Sequence, residues 1–549
     1  MCACWEARDH GIFWLADFCL RGTIMITIDR TEFDVIVLGT GIAGTMMSTI
    51  LSRNGHSVLM IDSGVHPRFA IGESTIPQTS QLITMLAKEF KVPEFQYIGL
   101  ESPDALRLHV TRNCGIKRIF GFAYHRLGEE HQISEAHQFG NIWRDENHLF
   151  RQDVDAYLLT VALNYGARAL QSTQVESVDI DEQGVRVTAG GKTYRSRFVV
   201  DGTGFRSVLA DKYGLRDQPC EMVSSTRSIF THVINVKPFE EIVGKLLTQP
   251  WASGTLHHLF KRGWFWVIPF NNWEGAPNPL VSVGVTVDDR VWPEDASLTP
   301  EQEFESFLRL LPSVERQFAD TKAVRPWVRT KRIQYSSRRT VGYRYALLSH
   351  AAGFIDPLFS RGLINTVENL LSLSRGLLDA LSADDFTETR FEKVDFEAKR
   401  SFSFADRLVA GAYASWDDFE MWNAWLRVWA IHVHAAESRL GGLLTLGGLS
   451  PVRMRPLANP IASTYEHPGF REFFEEMYGV MERYEAKQLS IEQARAELWE
   501  IISHHEFKIP LRDPLSRHHE WAMAQPRVRD FPLGMPEKHA RWEARLTDF

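Results

Sequence analysis

Four groups of residues in this sequence have types and spacings that could carry chemistry. The first is a glycine loop, Gly39-Thr40-Gly41-Ile42-Ala43-Gly44, set between an apolar run at 33–38 and a helical stretch at 42–53. Asp62 and Ser63 close the next apolar run. Gly39 permits a tight turn, Gly41 lets a pyrophosphate approach the backbone, and Gly44 allows close packing of helix on strand. The helix N-terminus would face the phosphates and Asp62 would accept from a ribose diol. A merely tight turn is the plain alternative, and the complete strand–turn–helix–strand–acid context argues against it. The second is Lys117, inside the apolar run 114–124. A lone lysine is usually a solvated charge, but an alternating strand this apolar leaves little wet surface. Held there, an ammonium can hydrogen-bond a polar reactant and a neutral amine can act as a nucleophile. Arg118 would point to the opposite face.

The third group is Ser360-Arg361-Gly362, where a loop enters a helix from about residue 363. Backbone N–H groups at such a junction form an anion site. Ser360 as an ordinary N-cap is the plain reading, and both can hold. The fourth is Gly263-Trp264-Phe265-Trp266-Val267-Ile268-Pro269. Tryptophans at i and i+2 of a strand share a face, and alone they are most simply core.

These groups need elements to hold them. A β-α-β unit over 33–62 opens a nucleotide-binding module. Strands at 174–187 and 192–200 lead into Asp201-Gly202, and a strand at 345–348 resumes the module before the 360–362 turn. Between them, aromatic-rich strands at 230–236, 264–270 and 280–287 read as a sheet inserted over about 215–330. The chain therefore divides into an extension at 1–24, a discontinuous core at 25–385 and a mainly helical region at 386–549. Phe419, Trp422, Trp425 and Trp429 recur at helical spacing, as core or as a wall of a pocket.

The chain has 549 residues, a net charge of −8 and no basic patch, which argues against nucleic acid as a partner. Five scattered cysteines suit a reducing cytoplasm better than a disulfide framework. Charges interrupt the first 24 residues, so no signal peptide is expected there. Residues 35–51 are apolar, but their glycines mark strand, turn and helix, so no membrane span is expected. Cys2-x-Cys4 and the paired histidines lack ligand spacing, and no metal is expected.

The glycine loop, Gly72-Glu73-Ser74-Thr75-Ile76-Pro77, Trp264-x-Trp266-x-Ile268-Pro269 and Phe354-Ile355-Asp356-Pro357-Leu358-Phe359-Ser360-Arg361-Gly362 together resemble the flavin-dependent halogenases. The likeness covers roughly 33–435 and favours the phenolic-substrate branch. Cys114-Gly115-Ile116-Lys117 and Leu149-Phe150-Arg151-Gln152-Asp153 carry that preference. The resemblance implies an α/β fold: an aromatic-hydroxylase-like FAD-binding Rossmann module, an inserted sheet over the substrate and helices at the C-terminus. It implies FAD contacts at Gly39, Gly41, Ile42, Ala43, Gly44, Asp62, Ser63, Glu73, Ser74, Arg151, Asp201, Gly202, Asp356, Gly362, Leu363 and Ile364. Ser360, Arg361 and Gly362 would hold chloride or bromide, and Lys117 would be catalytic. Trp264, Trp266, Ile268, Pro269, Phe120, Phe122, Ile142 and Phe359 would line the tunnel and pocket.

No second glycine fingerprint marks an NADPH domain, so FAD would be reduced either transiently at the protein's own surface or by a separate reductase, and the resemblance implies the reductase. With O2 and halide the product would be hypohalous acid, carried inside the protein to Lys117 for halogenation of a free phenol. Phe359 stands where tryptophan halogenases carry a glutamate, which points to a ring already rich in electrons. His350 stands where many related flavoproteins have an aspartate, which would weaken FAD binding unless another group replaces it. The rival readings are a flavin-dependent aromatic hydroxylase and a flavoprotein without its own turnover.

Overall fold

The computed structural model describes residues 29–99, 103–140, 145–244, 249–445, 465 and 468–505. The extension at 1–24 and Ile142 lie outside the described residues.

A parallel sheet forms the first layer. Glu32–Leu38 is central, flanked by Lys192–Asp201 on one side and Val58–Ile61 on the other. Tyr345–Leu347 extends the first flank in parallel and Arg168–Leu170 the second. Val35 to Leu38 and Val58 to Ile61 are buried throughout, as an unbroken aliphatic run must be when helices cover both faces. The expected strand at 174–187 is a hairpin, Val175–Asp181 with Gly184–Ala189, paired antiparallel to Lys192–Asp201.

The glycine loop does what its composition demands. Gly39 has φ +91°, a conformation that costs glycine nothing, and its N–H donates to Ile61 O at 2.7 Å. Helix Ile42–Arg53 follows at once, with Gly41 as N-cap. A Cβ on Gly44 would stand 2.2 Å from Gly39 O, so only glycine lets this helix pack so close.

The second sheet runs Lys322–Ala323, Thr226–Ile234, Val281–Asp288, Gly263–Pro269, Thr255–Phe260, Ile119–Tyr124, Ala136–Gly140. It reaches past the expected 215–330, since its last two strands come from 119–140. The expected single strand over 114–124 is also two. Gly115–Lys117 leaves the sheet and pairs antiparallel with Glu146–His148, Lys117 opposite Glu146. The break is at Arg118, whose N–H donates to Ser253 O and whose side chain turns outward to Asp145. Ile119–Tyr124 is buried on both faces, so it does not alternate.

Helices Arg361–Ala383, Glu392–Ser415, Phe419–Thr445, Pro468–Glu485 and Ile491–His504 make the C-terminal part mainly helical. Trp264 and Trp266 face the core shared with the first layer and these helices, while Phe265 and Val267 face a separate core under Pro300–Leu308. Gly284, opposite Trp266 in the sheet, makes room for that indole, because a Cβ there would lie 2.3 Å from its six-membered ring. Gly284→Ala should therefore cost about 1–3 kcal/mol through overpacking and lower the melting temperature. An unchanged melting temperature would show that Trp266 is free to move.

Candidate active site

Lys117 is wholly buried. Its Nζ donates to Ser74 Oγ and to Thr75 O, both at 2.8 Å, and lies 4.1 Å from the centre of the Phe120 ring. Burial holds its pKa well below the usual lysine range, and the facing Glu146 carboxylate opposes that shift. Glu146 is itself buried and accepts from Thr75 and Ser80.

A hydrogen-bond chain continues from the lysine and has a fixed direction. Pro269 O can only accept, so His148 Nδ1–H donates to it at 2.7 Å. Burial first, and the nearby Lys117 charge second, lower the His148 pKa to about 3, so its ring is neutral and Nε2 accepts. Thr255 Oγ1 therefore donates to His148 at 2.9 Å, Ser74 donates to Thr255 at 2.8 Å, and Lys117 donates to Ser74. Pro269 closes the tryptophan strand, so lysine and tryptophan pair belong to one network.

A second connection runs through rings. Trp266 and Trp264 are 5.7 Å apart, Trp264 and His257 5.2 Å, and His257 stacks on Phe120 at 4.5 Å. Trp264 Nε1 donates to Tyr413, and Tyr413 donates to Asp356 Oδ2. Burial raises Asp356 to about 6, with Thr226, Leu358 N–H and Tyr413 partly offsetting it. Phe359, Phe120 and Phe122 all meet Trp429: Phe359 stacks on it at 5.4 Å, and the other two approach at 5.1 and 5.8 Å. Beside them Trp429, Phe120, Phe139 and Ile76 border a small, partly open cavity of about 30 Å³. The tryptophan helix thus does both jobs, since Trp425 wedges against Gly411 in the core while Trp429 walls the cavity.

The 360–362 turn differs in detail from expectation. Ser360 is the N-cap position but has φ +53° and its hydroxyl makes no cap, so it supplies no side-chain acceptor to the first-turn N–H groups. The Arg361 side chain does not reach solvent. It is buried, donates to neutral His432 at 2.6 Å and lies over Phe404.

A dinucleotide fits the remaining groups. A Cβ on Gly41 would meet nothing within 4 Å, leaving open space at the loop. The buried His350 Nε2 has no hydrogen-bond partner among the described residues and faces Gly362, where a Cβ would lie 3.3 Å away. Other expected contacts are already engaged. Asp62 takes Arg68 at both oxygens together with Thr40 and Gly64 N–H; these hold it at about 2 although burial pushes it up. Glu73 bonds His232, Asp201 orders its own loop through Thr203, Ser207 and Leu209, and Arg151 pairs with Asp155 while binding Ile71 O. Ser63 is exposed, Ala43 half-buried, and Ile42, Leu363 and Ile364 buried. Ile268 and Pro269 are buried in the tryptophan strand.

Sequence reasoning missed Thr255, His148 and Tyr413. Only His148 carried a signal, standing just before the Leu149-to-Asp153 match.

His148, His257 and His258 are held near pKa 3, and His131, His350 and His434 near 4, in every case chiefly by burial. Each is neutral in the fold and gains a proton on unfolding below 6.5. Stability should fall by about 1.4 kcal/mol per pH unit for each histidine as pH drops from 6.5 toward 4. Asp356 and Glu437, with raised pKa values, act in the opposite sense but are outnumbered. Urea unfolding at pH 7, 6 and 5 reads the slope, and stability that holds steady or rises toward pH 5 would contradict this burial.

Residues 34–102 and 146–425 match the family described as tryptophan halogenase. The chain is 39% identical to tetracycline 7-halogenase of Kitasatospora aureofaciens over 516 residues, covering 90% of this chain and 92% of the relative. It is 43% identical over 418 residues to monodechloroaminopyrrolnitrin halogenase PrnC of Pseudomonas fluorescens, covering 75% and 73%. The crystal structure of halogenase PltM in complex with phloroglucinol and FAD superposes with a TM-score of 0.83 at 33% identity, covering 86% of this chain and 96% of that one. With the glycine cradle, the buried lysine and the tryptophan strand in one fold, this chain belongs to the flavin-dependent halogenases.

Proposed function

We propose that this enzyme halogenates a free, electron-rich phenol, using reduced FAD from a separate reductase, O2 and chloride or bromide. The observation that carries the reading is Lys117, dry and hydrogen-bonded, over a ring that also borders an apolar cavity. The chemistry the flavin supplies when bound is oxidation of halide by O2 to hypohalous acid.

The chain's own residues do the rest. Gly39, Gly41 and Gly44 admit the cofactor phosphates, and Ile42, Ala43, Asp62, Ser63, Glu73, Arg151, Asp201, Gly202, Asp356, Leu363 and Ile364 complete the cradle. The uncapped first turn at Ser360, Arg361 and Gly362 attracts halide through backbone N–H groups. The Arg361 side chain contributes through His432 rather than by contact. Trp264 and Trp266, fixed by Tyr413 and Ser282, separate flavin from substrate. Lys117 hydrogen-bonds the hypohalous acid or carries the halogen, with Ser74 anchoring its ammonium. Phe120 lines the cavity, and Phe122 and Phe359 pack against its Trp429 wall, an apolar surround that suits a phenol. The phloroglucinol bound to PltM supports that substrate class.

The test is purified protein with FAD, a flavin reductase, NADH, halide and a phenol panel, read by halogen isotope patterns. Halogenated phenol is expected, and hydroxylated product without halogen would overturn the reading. Lys117→Ala should keep FAD binding and oxygen consumption while product falls at least about 100-fold. Undiminished product would remove Lys117 from the mechanism.

A further inference from the structure

Resting on the phenolic reading above, we propose that Glu437 is a catalytic base that takes the substrate's hydroxyl proton as the ring is halogenated. Glu437 lies on helix Phe419–Thr445 and lines the cavity bordered by Phe120 and Trp429. The described lining is otherwise apolar except for His434. The Glu437 residue is 4% exposed, and its Oε1 is buried with no hydrogen-bond partner among the described residues. Its backbone is fixed, since Gln81 Nε2 donates to Glu437 O at 3.1 Å. Its Oε2 stands 4.0 Å from His434 Nδ1, but burial lowers His434 to about 4, so that ring offers no positive charge.

A buried carboxyl without a hydrogen-bond partner on one oxygen costs stability and is uncommon outside functional sites. Here burial first, and the Glu146 carboxylate second, raise Glu437 to about 8. Glu146 is also the charge that attracts Lys117. The two carboxyls therefore divide their roles: Glu146 supports the lysine, and Glu437 is left in the cavity with a proton affinity suited to a base near neutral pH. Phe120 borders both groups, its ring centre 4.1 Å from Lys117 Nζ while the residue also lines the cavity.

The step balances as follows. The ring carbon forms a bond to halogen while the halogen–oxygen bond of hypohalous acid breaks, its electron pair leaving as hydroxide. The phenol O–H bond breaks, its proton passes to Glu437, and its pair becomes the carbonyl of a halodienone. Hydroxide then removes the ring C–H proton to give water and restore aromaticity. Glu437 returns its proton to the oxygen.

The experiment compares resorcinol with its dimethyl ether on wild type and Glu437→Gln, an isosteric change. Wild type should favour resorcinol strongly. In Glu437→Gln, kcat/KM for resorcinol should fall about 100-fold while that for the ether changes less than about threefold. Glu437→Asp should recover a tenth or more of the resorcinol activity. Calorimetric titration of both compounds into FAD-loaded protein without halide gives a second readout: the preference for resorcinol should vanish in Glu437→Gln at an unchanged melting temperature. Equal losses on both compounds would assign Glu437 a structural role and overturn the proposal. So would a wild-type preference that survives Glu437→Gln. A wild type with no preference would overturn the phenolic reading itself, and the proposal with it.

Discussion

A lysine ammonium removed entirely from water has to be satisfied by protein, and the active site is organised around that requirement. Taking a charge out of water costs several kcal/mol unless hydrogen bonds and an opposite charge offset it. Lys117 obtains them from the Ser74–Thr75 loop and from Glu146 across a two-stranded ribbon. Gly115–Lys117 leaves the larger sheet at Arg118, and in the ribbon Lys117 sits opposite that carboxylate. Thr255 then accepts the Ser74 hydroxyl hydrogen and donates to His148, which carries the chain to Pro269.

The tryptophan pair gains its meaning from this arrangement. Strand geometry puts both indoles on one face, but geometry alone would leave them as packing. Two tethers hold the strand in place: Trp264 through Tyr413 to Asp356, and Pro269 through His148 toward the lysine. His257 lies between Trp264 and Phe120 and joins this strand to the lysine's surroundings. Gly284 permits the Trp266 position.

Much of the cradle was legible because its signals are local. Gly39, Gly41 and Gly44 act within one turn, and the apolar runs around them admit only buried strands. Lys117 was legible because an apolar run cannot hide a charge without a reason. What escaped the sequence depends on distant packing. Ser74 and Thr255 are 181 positions apart, and no periodicity pairs them. Helical spacing marked Trp422, Trp425 and Trp429, yet it could not say which of them meets the sheet, so Glu437 two turns on gave no sign. Arg361 shows the converse: its position in the turn was readable, but its side chain follows His432 and Phe404 in the helical layer. Ion-pair competition hid the state of Asp62, because Arg68 six residues away occupies it.

The central claim is that the cavity between Phe120, Trp429 and Glu437 is where the ring meets halogen. Anomalous diffraction from crystals holding a bromophenol, the product class, tests it without turnover. The bromine peak should lie in that cavity against Phe120, with the phenol oxygen at Glu437. A bromine bound elsewhere, with the cavity empty or filled by side chains, would contradict it.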